Sequence, residues 1–320
     1  MLVRLIPDGN PTKFPSQKPC VGNDITGLLT WCMHSTDWRR LAFAYHPIVT
    51  FSVLDFALTW GLWTLLFVLY DGMPPGPLVL LGAFGPAVAA VICVKGAGES
   101  VRGWARSLVP RTRLWWYVLA LMLPVAIIVA GAPVFALVGV PVGIPSPALG
   151  GVVVHFLLAL TIGGAQEEIG WRGFLMPHLQ QRNGAWFAGT LVGLHWALWH
   201  APLFILGDGA FAPTGRSFVG YVGAIIGASL ILTGLFNATR GNVIVAMLYH
   251  AANNAANAFL PLGEEALAVA SLVRDTAPTA KLLVVWVIVL ALVLRYGRRS
   301  LAPGDQWTGT RTGTCTGLGD

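Results

Sequence analysis

The 320-residue chain is strongly apolar, with 55% hydrophobic residues, 11% charged residues and a mean hydropathy of +0.69. Soluble domains usually carry about 25% charged residues, so this composition excludes an ordinary soluble protein. The net charge of +6 does not indicate nucleic-acid binding, because Lys and Arg lie at the ends of apolar runs rather than in a stripe with aromatic residues. The four cysteines have no Cys-x-x-Cys spacing, so neither a disulfide framework nor a thiolate metal site is predicted.

The two ends of the chain differ from its middle. Residues 1–45 are polar and lack the basic, apolar and small-residue succession of a signal peptide, so we expect a partly disordered cytosolic segment. The Gly- and Thr-rich stretch 297–320 is predicted to be a disordered cytosolic tail. The region 46–296 between them is predicted to be a transmembrane helical bundle.

Successive apolar runs fill this middle region, and turns rich in Pro, Gly or charge separate them. The runs predict spans at about 48–70, 78–94, 118–140, 148–165, 186–206, 218–236, 243–262 and 282–294, with a polar loop at 264–279 before the last. The sequence therefore predicts an all-α, polytopic membrane bundle of about eight transmembrane helices.

The distribution of positive charge orients this bundle. Most Lys and Arg residues fall on the side that holds the N-terminus, which the positive-inside rule makes cytoplasmic. An even number of spans puts both termini on that side. We expect a multi-pass protein of the cell membrane, in a bacterial plasma membrane, with both termini cytoplasmic.

Two adjacent carboxylates and an arginine end the fourth run. An ionisable group at membrane depth costs about 2.5–3.5 kcal/mol on insertion scales, which makes it a functional-site hypothesis by default. In a helix, Glu168 and Arg172 are four residues apart and stack on one face as an ion pair. Glu167 lies about 100° round the helix and is free to point elsewhere. The spacing predicts one neutralised carboxylate and one available for proton chemistry.

Polar residues also interrupt the fifth and seventh runs, at 195–200 and 250–257. His250, Asn254 and Asn257 are spaced i, i+4 and i+7, so they share one helical face. A His and an Asn facing a carboxylate from another helix can activate water and stabilise an oxyanion. Such groups also join membrane helices by hydrogen bonds worth about 0.6 kcal/mol each, and a Glu–Arg pair can be purely structural. Because three such clusters lie in one half of the chain, a functional site is favoured over purely structural contacts.

In this order, the clusters resemble the three motifs of the CPBP intramembrane proteases, the CAAX-prenyl-protease and bacteriocin-processing family also called Abi. The matching motifs are Glu167-Glu168-x-x-x-Arg172, Trp196-x-x-x-His200 and His250-x-x-x-Asn254, within about 157–260. The local spelling Glu-Glu-Ile-Gly-Trp-Arg-Gly-Phe-Leu is similar to the bacterial branch. The second motif usually begins with Phe, and Trp196 keeps an aromatic residue there.

The resemblance implies an endopeptidase that cuts membrane-associated or membrane-delivered peptides and proteins near the cytoplasmic face, with its protease core at about 148–262. In that family the first Glu and the second motif's His activate the attacking water, and here these are Glu167 and His200. The third motif's residues, His250 and Asn254, would hold the tetrahedral oxyanion.

The same resemblance gives Glu168 and Arg172 an orienting and neutralising role. It also bears on the two histidines of the fifth run. His195 lies roughly 140° from His200 round a helix, so both cannot face one site. The motif register favours His200, and His195 is the alternative.

The residues leave open whether a metal is bound. Glu167, His200 and His250 are a legitimate zinc set, since catalytic zinc takes three protein ligands and a water. However, the His-Glu-x-x-His signature is absent and the ligands would come from three helices. A Glu/His pair could instead activate water directly, with His250 and Asn254 as oxyanion donors. The expected cofactor is either none or a divalent metal such as Zn²⁺.

Two other functions fit the same polar residues. A proton-coupled transporter could use Glu167, His200 and His250 as a relay, although the sequence has no obvious repeat of short, Gly/Pro-broken helices in matching halves. A non-catalytic immunity or scaffold protein would need none of their chemistry. The expected partners are a peptide or protein substrate and the lipid bilayer, with no nucleic acid. Prenylated tails, leader peptides and membrane-protein segments all remain open as substrates.

Overall fold

The computed structural model of the protein describes residues 43, 46–206, 218–305, 307 and 308. Nearly all of the predicted N-terminal segment, the loop 207–217 and the end of the predicted tail lie outside the described residues, so the predictions for them stay predictions. The described secondary structure is helical, with one isolated backbone bridge between Val142 and Leu262. The predicted all-α class is confirmed.

The helices are numbered in chain order. The first four are α1 (Pro47–Leu69), α2 (Gly76–Gly96), α3 (Val101–Ser107) and α4 (Leu114–Leu137). The next four are α5 (Leu149–Thr161), α6 (167–180), α7 (Ala185–Trp199) and α8 (Ala201–Ile205). The last three are α9 (Phe218–Ala238), α10 (Val243–Ala255) and α11 (Ala270–Ser300). Short 3₁₀ turns interrupt α2 at Gly82–Phe84, follow α10 at Ala256–Phe259 and precede α11 at Glu264–Val269.

Five of these helices are long and apolar enough to cross a membrane: α1, α2, α4, α9 and α11. The chain is therefore a multi-pass membrane protein. The predicted fourth, fifth and seventh spans correspond to α5, α7 and α10, which have 13, 15 and 13 residues. At 1.5 Å per residue they are about 20 Å long, less than the roughly 30 Å of a hydrocarbon core. The predicted total of eight is not confirmed by the described part of the chain.

The short helices end where the sequence places its polar clusters. α5 stops before the turn 162–166, in which Gly164 has a φ of +139° that favours glycine. α7 stops one residue before His200, and Pro202, the second residue of α8, lacks the N–H that would continue α7. The predicted continuous helices 148–165 and 186–206 are therefore each too long at their C-terminal ends.

The predicted polar loop at 264–279 is wrong, because the 31-residue α11 already begins at Ala270. The predicted span at 282–294 is only the middle of this helix. Ala277 and Ala280 belong to an apolar cluster with Phe135 of α4, so tertiary contacts favour helix in a stretch whose local composition is polar.

The start of the predicted tail packs against the bundle. The side-chain amides of Gln180 in α6 and Asn237 in α9 bond each other at 3.0 and 2.9 Å. Asn237 Nδ2 also donates to Ser300 O at 2.8 Å, and Trp307 N donates to Asn237 Oδ1 at 3.0 Å. The packed bundle thus continues beyond the predicted boundary at 296.

Glycines allow α7 to pack closely on α9. A Cβ at Gly189 would lie 2.6 Å from Thr233 Oγ1, and one at Gly193 would lie 2.8 Å from the Cα of Ile226. Small residues four apart let membrane helices approach in this way. The contact fixes α7, which carries the second motif, against the centre of the bundle.

The helix that carries the first motif is equally constrained. α6 consists of the helical turn Glu167–Gly170, the π-helical turn Trp171–Leu175 and the helical turn Met176–Gln180. A Cβ at Gly170 would overlap the backbone carbonyl of Pro86 in α2. This close contact sets the position of the two glutamates, and π-helical turns are frequent at functional sites.

Replacing Gly170 with alanine tests this contact. We expect the free energy of unfolding of Gly170→Ala to fall by about 1–3 kcal/mol, because the added methyl meets backbone that cannot rotate away. Denaturant unfolding in detergent micelles measures the change. The matched control is Gly61→Ala in α1, where an added Cβ meets nothing within 4 Å. Equal stability of the two variants would contradict the close packing of α6 on α2.

Candidate active site

The ion pair predicted between Glu168 and Arg172 is present in the structure. Arg172 Nη1 lies 2.9 Å from Glu168 Oε2 and donates to Oε1 at 3.2 Å. Both side chains are 0% exposed. A buried charge that loses its partner is very costly, so each of these residues depends on the other.

Arg172 also connects α6 to two neighbouring helices. Its Nη2 donates to Ser229 Oγ in α9 at 2.9 Å, and that hydroxyl donates to the Gly189 carbonyl in α7 at 2.8 Å. The guanidinium carbon lies 5.7 Å from the centre of the Trp196 ring, which places the cation over an aromatic face. The first two motifs therefore meet at Arg172.

The third motif reaches the same ion pair through His250. His250 Nδ1 lies 2.7 Å from Glu168 Oε1, and because a carboxylate accepts hydrogen bonds, Nδ1 carries a proton and donates it. This contact turns the other ring nitrogen, Nε2, towards Glu167, whose Oε2 is 4.0 Å away. Glu168 thus fixes which nitrogen of His250 faces the second carboxylate.

Glu167 is the free carboxylate of the pair, as the spacing predicts. It is 4% exposed, and its Oε2 has no hydrogen-bond partner in the described part of the chain. The two carboxylates, the Arg172 guanidinium and the His250 ring form one buried cluster.

The turn after α5 lies against the open side of this cluster. A Cβ at Gly164 would be 2.9 Å from His250 Nε2 and 3.1 Å from Asn254 Nδ2, so the two nitrogens converge on one point. Asn254 Nδ2 donates to the backbone carbonyl oxygen of Gly163 at 3.3 Å. The amide of Asn254 therefore already binds a peptide carbonyl beside Glu167 and His250.

Asn257, which the helical spacing places on the same face, does not join this group. α10 ends at Ala255, and Asn257 lies in the following 3₁₀ turn with its side chain exposed. The prediction of a shared face is wrong for Asn257, because the change of helix type rotates that side chain away.

The two histidines of the second motif face different surroundings, as the helical angle between them predicts. His200 Nδ1 lies 3.0 Å from the Trp196 carbonyl, so it donates and leaves Nε2 as the acceptor. His200 also interacts electrostatically with His250. His195 instead lies 2.7 Å from the carboxylate of Asp55 in α1.

Asp55 is the functional candidate that the sequence analysis missed. It is a fully buried acidic residue near the middle of an apolar span, which is itself a signal for function. Its Oδ2 also accepts a hydrogen bond from Trp171 Nε1 at 3.3 Å. Its link to the second half of the chain depends on tertiary packing, which no local pattern reveals.

Trp196, at the usual Phe position of the second motif, is part of the site. Its ring centre lies 4.9 Å from that of His250 and 5.2 Å from that of Trp171. The indole Nε1 is buried and has no partner among the described residues. The aromatic position therefore packs the motifs together, and the tryptophan adds a hydrogen-bond donor.

A metal site requires several ligands at one point. Among the described residues, no group of three or more His, Cys, Asp or Glu side chains is placed to hold a metal ion. Glu168 is already bonded to Arg172 and His250, which leaves Glu167, His200 and His250 as the possible set. As placed, these three side chains do not fit a zinc ion.

Breaking the ion pair from one side gives a direct test of its role. Arg172→Gln leaves the Glu168 carboxylate buried without its main partner, so we expect the free energy of unfolding to fall by about 3–5 kcal/mol. The double variant Glu168→Leu/Arg172→Met removes both charges and should recover part of that loss. Unfolding in micelles measures both variants.

The control is Arg182→Gln, because the Arg182 side chain is exposed. A surface substitution of this kind changes stability by at most about 0.5 kcal/mol. If Arg172→Gln behaved like Arg182→Gln, the pair would not hold the site together.

Comparison with known proteins agrees with this geometry. Residues 149–256 match a family described as Type II CAAX prenyl endopeptidase Rce1-like. Over 101 residues the chain is 30% identical to the CAAX prenyl protease 2 of Methanococcus maripaludis, which covers 30% of this chain and 37% of that protein. The matched part thus spans well under half the length of either protein.

All seven named residues of the three motifs lie inside the matched segment, whereas Asp55 lies outside it. Assignment to the bacterial branch stays a prediction. The segment 149–256 is thus similar to the Rce1-like CAAX prenyl endopeptidases, in agreement with the resemblance of its motifs to the CPBP proteases.

Proposed function

We propose that the protein is an intramembrane endopeptidase that hydrolyses peptide bonds with water activated by Glu167. One observation carries this proposal: a free, buried carboxylate lies beside His250 Nε2 and beside an Asn254 amide that binds a peptide carbonyl. A base for water and two donors for a carbonyl oxygen are the minimum that peptide hydrolysis requires.

In the proposed reaction, Glu167 accepts a proton from water while the water oxygen bonds to the scissile carbonyl carbon. The carbonyl electrons move to its oxygen, and the N–H groups of His250 Nε2 and Asn254 Nδ2 stabilise that oxyanion. When the oxyanion collapses, the C–N bond breaks and the leaving nitrogen takes the proton from Glu167. The family resemblance assigns His200 to the same water, and its Nε2 is the nitrogen left to accept a proton.

Glu168 and Arg172 act on this reaction through His250. The 2.7 Å hydrogen bond from Nδ1 to Glu168 holds the imidazole in the orientation that presents Nε2 to the substrate oxygen. Arg172 in turn pairs with Glu168 inside the apolar bundle and holds its carboxylate in place. Preorganised donors of this kind need no rearrangement as charge develops, which is how they lower a barrier.

Substrates reach such a site through the membrane or along its surface. We propose peptides or proteins delivered by the bilayer, cut near the cytoplasmic face of a cell membrane, with both termini of the enzyme on the cytoplasmic side. The relative's name indicates prenylated C-terminal tails for that protein. Prenylated tails, leader peptides and membrane-protein segments leave different products, so the cleavage pattern distinguishes them.

Replacing Glu167 with glutamine tests the proposed base. In cells lacking the protein, we expect wild type to generate peptide products that Glu167→Gln does not, because an amide cannot accept the proton from water. Comparative membrane peptidomics measures the products, with equal protein levels checked by immunoblot. Loss of a C-terminal tripeptide after a prenylated cysteine would identify the relative's named substrate class.

Glu265→Gln is the matched control, because the Glu265 side chain is exposed and lies outside the site. It should reproduce the wild-type peptidome. Identical peptidomes for wild type and Glu167→Gln would contradict hydrolysis by Glu167. If cells with wild type and cells with Glu167→Gln then still differed in proton-driven flux, a proton-coupled transporter would replace the protease as the proposed function.

Asn254→Ala tests the oxyanion donor. Removing one such donor costs about 10²–10³ in kcat, so we expect a loss of this size with KM little changed. The assay uses a fluorogenic peptide built on a cleavage site from the peptidomic comparison, with purified protein in lipid vesicles. Asn257→Ala, three residues on and exposed, serves as the control and should retain wild-type kcat. Equal kcat for Asn254→Ala and wild type would overturn the role of this amide.

A further inference from the structure

Asp55 is an unusual residue for its place in the fold. It is the single charged residue of α1, it is 0% exposed, and it lies outside the segment matched by the protease family. A carboxylate inside an apolar helix is costly and is retained where it has a function, and its partners indicate which one.

The first partner of Asp55 is His195. Asp55 Oδ2 accepts a hydrogen bond from His195 Nε2 at 2.7 Å. The imidazole is held from both sides, since its centre lies 4.5 Å from that of Phe56 and 5.8 Å from that of Phe51. Its other nitrogen lies 3.5 Å from Ser52 Oγ. His195 is therefore fully engaged with α1, which makes it a partner of Asp55 rather than a base for water.

The second partner of Asp55 belongs to the first motif. Trp171 Nε1 donates to Asp55 Oδ2 at 3.3 Å. Trp171 lies between Glu168 and Arg172 in sequence and is the first residue of the π-helical turn Trp171–Leu175. An indole has a single N–H, so this hydrogen bond fixes the rotation of the Trp171 ring. The ring in turn packs on Trp196, which packs on His250. A continuous row of contacts thus runs from Asp55 to the proposed oxyanion donor.

Asp55 also acts on the site through its charge. Its carboxylate interacts electrostatically with Glu167, which lies in the same buried region. His195 donates a hydrogen bond to the same carboxylate. The Asp55–His195 pair therefore influences both the geometry and the electrostatics around the proposed base.

A charged pair such as Asp55–His195 is not needed merely to hold α1 against α7. One turn further along α1, Thr59 Oγ1 accepts a hydrogen bond from Trp199 Nε1 at 2.9 Å and donates to the Gly82 carbonyl at 3.2 Å. This neutral contact joins the same two helices without a charge. Asp55 differs from Thr59 in that its hydrogen bond reaches into the first motif.

We propose that Asp55, with His195 as its charge partner, is a positioning residue of the protease site that acts through Trp171. The pair fixes the π-helical turn and thereby the orientation of Glu167, Glu168 and Arg172. This inference rests on the proposed hydrolase function and extends its machinery to α1, beyond the segment that the family match covers.

Three variants test the proposal in the vesicle assay with the fluorogenic cleavage-site peptide. Asp55→Asn keeps the shape and loses the charge, and Trp171→Phe removes the indole N–H. Each should lower kcat by about 10- to 100-fold with KM unchanged within about twofold, because small misplacements of reacting groups have effects of this size. The double variant Asp55→Asn/Trp171→Phe should be no slower than the slower single variant, because both changes break one chain of contacts.

Thr59→Val is the matched control. It is isosteric, it lies on the same helix at full burial, and it leaves the Trp199 N–H without its acceptor. We expect its thermal stability to fall as far as that of Asp55→Asn, while its kcat stays within about threefold of wild type. A kcat for Thr59→Val as low as that for Asp55→Asn would overturn positioning, because loss of helix packing would then explain both.

The remaining outcomes separate this inference from the proposed function. If Glu167→Gln is inactive and Asp55→Asn or Trp171→Phe retains wild-type kcat, the positioning role is wrong and the protease stands. Multiplicative losses in the double variant would also refute a shared path through Trp171. If Glu167→Gln cleaves the peptide as wild type does, the proposed function fails and this inference fails with it. Where Asp55→Asn does not fold, Trp171→Phe alone decides by its kcat.

Discussion

The buried ion pair between Glu168 and Arg172 is the constraint on which the site depends. Neither charge is exposed, so the surrounding apolar helices must supply every hydrogen bond that water would otherwise make. Ser229 meets Arg172, and His250 meets Glu168. This requirement brings α6, α9 and α10 to one point, and the ring of Trp196 adds α7. Glu167, the preceding residue, is thereby held beside His250, and its Oε2 has no hydrogen-bond partner among the described residues.

Broken helices make such a site compatible with a membrane. Unsatisfied backbone groups are tolerated at membrane depth only where protein or a polar cavity surrounds them. Here the turn after α5 gives the Gly163 carbonyl to Asn254, and the end of α7 gives the Trp196 carbonyl to His200. The same helix ends therefore satisfy their own backbone and place polar side chains inside the bundle. Long, apolar α1, α2, α4, α9 and α11 form the membrane-spanning frame around them.

Local sequence predicted the helical class and the Glu168–Arg172 pair, because both follow from helical spacing and composition. It did not predict where helices stop: His200 and Gly164 lie at breaks that apolar composition hides. It also failed for α11, whose polar first turns are helical because they pack on α4. Asp55 was missed for a related reason. Its partners, Trp171 and His195, are more than 100 residues away in sequence, so only the fold brings the three side chains together.

We propose that Glu167 activates water to cut peptide bonds at the membrane. The most direct test incubates membranes carrying wild type or Glu167→Gln in ¹⁸O-labelled water and sequences the peptides by mass spectrometry. Hydrolysis places a labelled oxygen in each new C-terminal carboxylate, so wild type should yield labelled ends that Glu167→Gln lacks. Identical sets of labelled ends from the two membranes would contradict the role of Glu167 as the base.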